Sequence, residues 1–187
     1  MQVLRAADRV ASPWKNGGGI TREVAAWPPG AGFDDFRWRV SMAEVRADGP
    51  FSVFPGVDRI LAVLEGRLAL DIEGRGAVEL SATSAPAVFP GDAPTGGRLL
   101  EGPVTDLNVM SRRGAMRADL TRLDIRPRLT LAPCAGMRLL VARGRLQVAA
   151  PQAVDLLADD ALLLTEVDPP VALEALDGVT AWLAAFR

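Results

Sequence analysis

The stretch Asp48–Ile72, DGPFSVFPGVDRILAVLEGRLALDI, decides the fold. Three turn signals, Asp48-Gly49-Pro50, Phe54-Pro55-Gly56 and Glu65-Gly66, bracket two short apolar runs, Arg59–Leu64 and Arg67–Ile72. Gly supplies the backbone angles that turns require and Pro presets them, so runs punctuated this closely are strands joined by hairpins. The same pattern continues on both sides. Further strands are expected at Phe36–Val45, Ala77–Leu80, Ala87–Phe89 and Leu107–Met110, with another turn at Phe89-Pro90-Gly91-Asp92. Sustained 3.6-residue periodicity is almost absent, so the chain reads as all-β, a sandwich or barrel.

An internal echo divides it. Val104-Thr105 followed by Arg112 recurs as Val179-Thr180 followed by Arg187, and Leu64-Glu65-Gly66-Arg67-Leu68 matches Ala142-Arg143-Gly144-Arg145-Leu146 in apolar pattern and glycine placement. Two related β units are expected, residues 1–120 and 121–187, with the boundary near Thr121 to Thr130. Where the first copy has Asp106, Asn108 and Met110, the second has Ala181, Leu183 and Ala185. A polar site therefore belongs to the first unit.

Composition excludes several chemistries. The 187 residues include no histidine and a single cysteine, Cys134. Without histidine there is no Ser-His-Asp or Cys-His arrangement, and structural zinc sites, built from Cys and His, are ruled out. No metal and no cofactor is expected. A net charge of −2 gives no reason to expect nucleic acid or acidic lipid. The start of the chain has no apolar segment behind a basic one, and no run approaches the roughly 18 apolar residues of a membrane span, so a cytoplasmic protein is expected.

What remains is anion recognition, and the decapeptide Trp14–Glu23, WKNGGGITRE, assembles parts for it. Lys15 is the only lysine among 21 basic residues. Asn16, Gly17, Gly18 and Gly19 are candidates for a nest of backbone amides around a carboxylate, although a Gly-Gly-Gly run also serves as a plain turn. Thr21, Arg22 and Glu23 follow at once. Arg22, Arg39 and Arg59 offer planar forks matched to carboxylate oxygens, Trp14 and Trp38 offer apolar walls, and Ser41, Asn108 and Met110 complete the candidate set. Strand Phe36–Val45 alternates Phe36, Trp38, Val40 and Met42 with Arg37, Arg39, Ser41 and Ala43. One face must look into the barrel, and if it is the apolar one, Arg39 and Ser41 leave the pocket.

The segments WKNGGGITRE, FRWRVSMAEV, DGPFSVFPGVDRILAVLEG, FPGD and DLNVMSRRG, in this order between Trp14 and Gly114, resemble the HutD/Ves family. The resemblance implies a bicupin, two double-stranded β-helix barrels of the RmlC-like jelly-roll type. It also implies an association with histidine utilisation, a regulatory or ligand-sensing role in which N-formylglutamate has been suggested, and, for Ves-type members, a link to stress. No established reaction comes with it. Cupin enzymes hold a metal on histidines in the segment that here carries Ser52 and Phe54, so the metal chemistry is missing.

Three functional classes follow. The first is a non-enzymatic protein binding a small carboxylate in the first barrel. The second is a metal-independent enzyme using Lys15 as base or Schiff-base amine with Glu23 or Glu44. The third is an interaction module that forms a homodimer or takes a partner through Phe33, Phe36, Trp38 and the C-terminal AWLAAFR.

Overall fold

The computed structural model describes residues 1–187. Its strands are β1 (Gln2–Leu4), β2 (Ala11–Pro13), β3 (Gly19–Trp27), β4 (Trp38–Val45), β5 (Gly49–Phe51), β6 (Val57–Glu65), β7 (Arg67–Ile72), β8 (Gly76–Ser81), β9 (Ala87–Pro90) and β10 (Thr95–Leu99). They continue as β11 (Val104–Arg112), β12 (Ala118–Ile125), β13 (Arg128–Leu131), β14 (Met137–Ala142), β15 (Leu146–Ala150), β16 (Val154–Leu156), β17 (Ala161–Leu164), β18 (Val171–Glu174) and β19 (Val179–Phe186). One 3-10 turn, Ala6–Asp8, is the only helical element. No helix is long and apolar enough to cross a membrane.

The chain forms two compact units, Val10–Arg117 and Met1–Arg9 with Ala118–Arg187. The first contains a six-stranded sheet, β2-β3-β4-β11-β6-β9, and a four-stranded sheet, β5-β10-β7-β8. Leu61, Val63, Leu68, Leu70, Ile72 and Phe89 form the centre of its core. The second contains β1-β17-β14-β19-β12 and β13-β18-β15-β16, around a core of Leu140, Leu146, Val148, Leu162, Leu164 and Leu173 among others.

The repeat read from sequence is a repeat of topology. The order β4-β11-β6-β9 in one unit recurs as β12-β19-β14-β17 in the other, and β5-β10-β7-β8 recurs as β13-β18-β15-β16. Strands β11 and β19, which carry the two Val-Thr pairs, hold the same central place.

The division differs from residues 1–120 and 121–187 at its N-terminal end. Residues Met1–Arg9 belong with the second unit because β1 adds an edge to β17, with Val3 opposite Leu162. Charged contacts pin this segment. Arg5 donates to Asp160 at 2.7 Å and to the Asp155 carbonyl at 2.7 Å, Asp160 also accepts from the Ala6 amide, Arg9 donates to the Asp159 carbonyl, and the Met1 amine pairs with Asp168. A three-residue edge strand has no periodicity to announce it.

Two loops of the first unit position the site. Arg112 donates to the carbonyls of Phe33 and Asp34 at 3.1 Å and to those of Phe36 and Pro55 at 3.5 Å, tying the connection before β4 to the one before β6. Asp92 accepts from the Gly56 amide at 2.8 Å and from Arg113 at 2.7 Å, and the Phe54 amide donates to the Gly91 carbonyl at 2.8 Å. A Cβ on Gly91 would stand 2.9 Å from the carbonyl oxygens of both Phe54 and Val57, so the Phe89–Asp92 motif packs backbone on backbone.

Candidate functional site

Strands β4, β6 and β11 are buried almost throughout, yet one of their faces carries charge. Residues opposite each other on antiparallel strands share a face, so the register sorts the side chains into rungs. One rung reads Ala26, Arg39, Met110, Arg59, Phe89 across β3, β4, β11, β6 and β9. The next reads Glu23, Ser41, Asn108, Leu61, Ala87, and the third Thr21, Ala43, Asp106, Val63. Leu61, Val63 and Phe89 belong to the core cluster, which identifies this as the inner face. The polar side of the alternating strand Phe36–Val45 therefore faces in, and Arg39, Ser41, Arg59, Asn108, Met110, Thr21 and Glu23 come together as candidates of one site.

Arg59 is the centre of it. The residue is 4% exposed, its Nε donates to Asn108 Oδ1 and one Nη to the Ser52 carbonyl, both at 3.3 Å. Its guanidinium carbon lies 5.4, 5.7 and 5.1 Å from the ring centroids of Phe51, Phe54 and Phe89, within cation–π range. No carboxylate forms an ion pair with it. Arg39 differs, since its Nε meets Glu23 at 2.7 Å and its guanidinium lies 4.9 Å from the centroid of Phe33, which stacks on Phe54. Phe33, Phe51 and Phe54 thus cover two guanidinium groups, one neutralised and one not.

Asp106 is the counterpart. It is buried, and its Oδ2 has no hydrogen-bond partner. Burial pushes its carboxyl up to about 7, with the charge of Arg59 pulling the other way. Burial likewise lowers Arg59 to about 10, which Asp106 opposes and Arg39 reinforces, so Arg59 stays charged at neutral pH. The carboxyl ionises near 3.8 in an unfolded chain, so between about pH 4 and 7 the folded chain binds more protons and stability falls as pH rises, levelling off above. Asp106→Asn removes this slope. Urea unfolding at about pH 4 and about pH 8 should show the variant gaining on the parent only at the higher pH; parallel profiles would contradict the assignment.

The other sequence candidates lie elsewhere. Trp38 is fully buried on the opposite face of β4, and Arg22, also on that face, pairs with Glu44 at 2.6 Å. Neither joins the inner-face group, because strand parity sets them against Arg39 and Ser41. Lys15, Asn16 and Gly17 form an exposed hairpin tip. The Gly17 amide donates to the Trp14 carbonyl at 3.0 Å and the Gly18 amide to Asn16 Oδ1 at 3.0 Å, so the expected nest is closed on itself. Gly19 makes room for Trp14: a Cβ there would stand 2.6 Å from the Glu44 carbonyl and 3.0 Å from the indole. Trp14 donates to Thr21 Oγ1 at 2.7 Å and meets Phe51 edge-on, and so touches the site through Thr21 and through a ring that covers Arg59. Lys15→Ala should leave stability within about 0.5 kcal/mol and carboxylate binding unchanged. Loss of binding in a calorimetric titration would return the lysine to the site.

Asp106 and the four phenylalanines Phe33, Phe51, Phe54 and Phe89 complete the site beyond the sequence candidates. Asp106 shares strand parity with Asn108 and Met110, and that parity is the signal that identifies it. The phenylalanines come from two loops and two strands, β5 and β9, whose convergence no local pattern announces. Outside the barrel, a shallow groove of about 380 Å³ on the four-stranded sheet is lined by Pro50, Asp71, Glu73, Pro94, Thr95 and Gly96. Its carboxylates repel an anion. No group of three or more His, Cys, Asp or Glu side chains is placed to hold a metal ion. In the second unit, Ala181 and Leu183 stand where Asp106 and Asn108 would, within an aliphatic core.

Comparison with known proteins gives the setting. The HutD family model matches residues 6–182. The chain is 38% identical over 130 residues to a 21.2 kDa protein from the region 3′ of hutC in Pseudomonas putida, covering 69% of this chain and 67% of that one. It is 39% identical over 113 residues to protein Ves of Citrobacter koseri, and this match spans 59% of the chain and 58% of the Ves protein. Among solved structures, a conserved protein of unknown function from Pseudomonas aeruginosa PAO1 superposes with a TM-score of 0.91 at 31% identity, covering 100% of this chain and 98% of that one. HutD from Pseudomonas fluorescens SBW25, determined in a formate condition, gives 0.82 at 28% identity with the same coverage. A cupin 2 conserved barrel protein from Leptotrichia buccalis gives 0.62 at 10% identity, a likeness of fold alone that marks the architecture as cupin.

Proposed function

This chain belongs to the HutD family, and we propose that its first β unit binds a small carboxylate and serves histidine utilisation in the cytoplasm as a ligand-dependent regulatory or accessory protein, without metal and without catalysis. The observation that carries this reading is Arg59. A guanidinium removed from water costs free energy unless an anion meets it, and this one is held by rings and two long hydrogen bonds, with no carboxylate paired to it. A ligand carboxylate supplies the missing partner. Arg39, on the same rung across Met110, offers a second fork if the ligand displaces Glu23. Ligands with two carboxylates, such as N-formylglutamate, fit a pair of forks, and compact ones such as formate fit Arg59 alone.

The enzymatic alternative has less support. Lys15 sits at an exposed hairpin tip, beyond the last paired residues of β2 and β3, and lacks the burial that activates a lysine. Calorimetric titration with formate, acetate, urocanate and N-formylglutamate tests the proposal. Saturable binding of at least one is expected, and absence of both heat and thermal stabilisation at millimolar ligand would overturn it.

A further inference from the structure

The inner face of the first unit holds five charged groups by register, Glu23 on β3, Arg39 on β4, Arg59 on β6, and Asp106 and Arg112 on β11, and none on β9, β5, β10 or β7. Arg112 is spent on the carbonyls of Phe33, Asp34, Phe36 and Pro55, which leaves Arg39 and Arg59 facing Glu23 and Asp106. The hydrogen-bonding groups of these four are not all matched. Glu23 is matched to Arg39. Arg39 also donates to Ser41 Oγ at 3.3 Å, Thr21 Oγ1 is occupied by the Trp14 indole, and Arg59 spends Nε and Nη1 on Asn108 and Ser52. The hydroxyls of Thr21 and Ser41 and the Asn108 amide keep donors of their own; two groups find nothing in the protein, the donor Nη2 of Arg59 and the acceptor Oδ2 of Asp106, buried and bonded by none of those donors. Ala43 and Val63 flank Asp106 on its rung, and neither has a side-chain donor to give.

A plain carboxylate answers only the first of these. It satisfies Arg59, but it brings a further negative charge and more acceptor oxygens to a face that already has an unmatched acceptor. A ligand that carries an N–H donor as well answers both. We infer that Asp106 is a specificity residue, and that the pocket selects, among carboxylates, those bearing a separate N–H donor that reaches its Oδ2. This rests on the carboxylate reading above and narrows it to amino, amido or imidazolyl acids. Discrimination of this kind is strong because a site with a buried polar group rejects the analogue that leaves it unpaired.

The test uses pairs of equal length and shape, titrated calorimetrically into the intact protein at about pH 8, where the Asp106 carboxylate is ionised. Glycine is set against propionate, β-alanine against butyrate, 4-aminobutyrate against pentanoate, and 5-aminopentanoate against hexanoate, so that the unknown span between Arg59 and Asp106 is scanned. At one or more lengths the amino acid should bind at least about tenfold more tightly than its methyl-ended partner, the scale of a hydrogen bond to a charged group. Asp106→Asn should reduce that preference to under about threefold while retaining the methyl-ended ligands. If the methyl-ended member binds as well or better at every length, or if the preference survives in D106N, the selection is overturned and the carboxylate site stands. If no member of either series binds, the carboxylate site itself falls, and the selection with it. Should D106N fail to fold, the wild-type pairs decide alone.

Discussion

Replacing Arg59 by glutamine should abolish formate and acetate binding. The guanidinium is deeply buried and no carboxylate forms an ion pair with it, so it is the group whose free energy changes most when an anion arrives. Truncating one side of a buried charge pair costs about 2 to 5 kcal/mol, or roughly 30- to several-thousand-fold in affinity. Arg39→Gln should cost less, because Glu23 already neutralises Arg39 and part of the ligand's gain goes to displacing it. Glutamine also leaves Asp106 without the charge that holds its carboxyl down, so the decline in stability with rising pH should extend to higher pH. Titration calorimetry with thermal melting of the same samples reads both effects. An R59Q protein that melts normally and binds formate within about threefold of the parent would remove Arg59 from the site.

Trp38→Ala should be the most destabilising of the substitutions considered, yet leave the folded protein's affinity for carboxylates unchanged. Trp38 is fully buried and heads the largest buried side chains of the chain. Truncation of a buried Trp or Phe to Ala costs about 3 to 5 kcal/mol, combining lost transfer free energy with the cavity left behind. Its register partners, Trp27 on β3 and Ser111 on β11, share its face of the sheet, while Arg39 and Met110 point the other way. Urea unfolding should therefore register a large drop, while titration of the fraction still folded returns the parent affinity. A variant of near-normal stability with impaired binding would mean that the tryptophan walls the pocket after all.

These two residues, Arg59 on β6 and Trp38 on β4, show what the chain discloses and what it withholds. The alternation of Phe36–Val45 announces a strand with two unlike faces, but not which face turns inward. Parity alone is symmetric; only the register with Leu61, Val63 and Val104, which belong to the core, breaks the tie. The Val-Thr echo was legible as a repeat because central strands of related units face the same packing demands, and β11 and β19 do hold the same place. The contrast of Asp106 and Asn108 with Ala181 and Leu183 located the polar unit for the same reason. In the glycine run residue type suggests a nest, but the Gly17 amide goes to the Trp14 carbonyl and the Gly18 amide to the Asn16 side chain, a local closure that composition does not reveal. The four phenylalanines and the β1 edge depend on contacts between segments remote in sequence, for which spacing carries no signal.

The central claim is that a carboxylate enters the first barrel and is met by Arg59. The arginine Nε–H resonances of the labelled protein, followed by NMR during a titration with formate and assigned for this site with the Arg59→Lys variant, test it most directly. The Arg59 signal should move saturably, with a midpoint equal to the calorimetric dissociation constant. A stationary Arg59 signal, with only exposed arginines drifting in proportion to added formate, would contradict it.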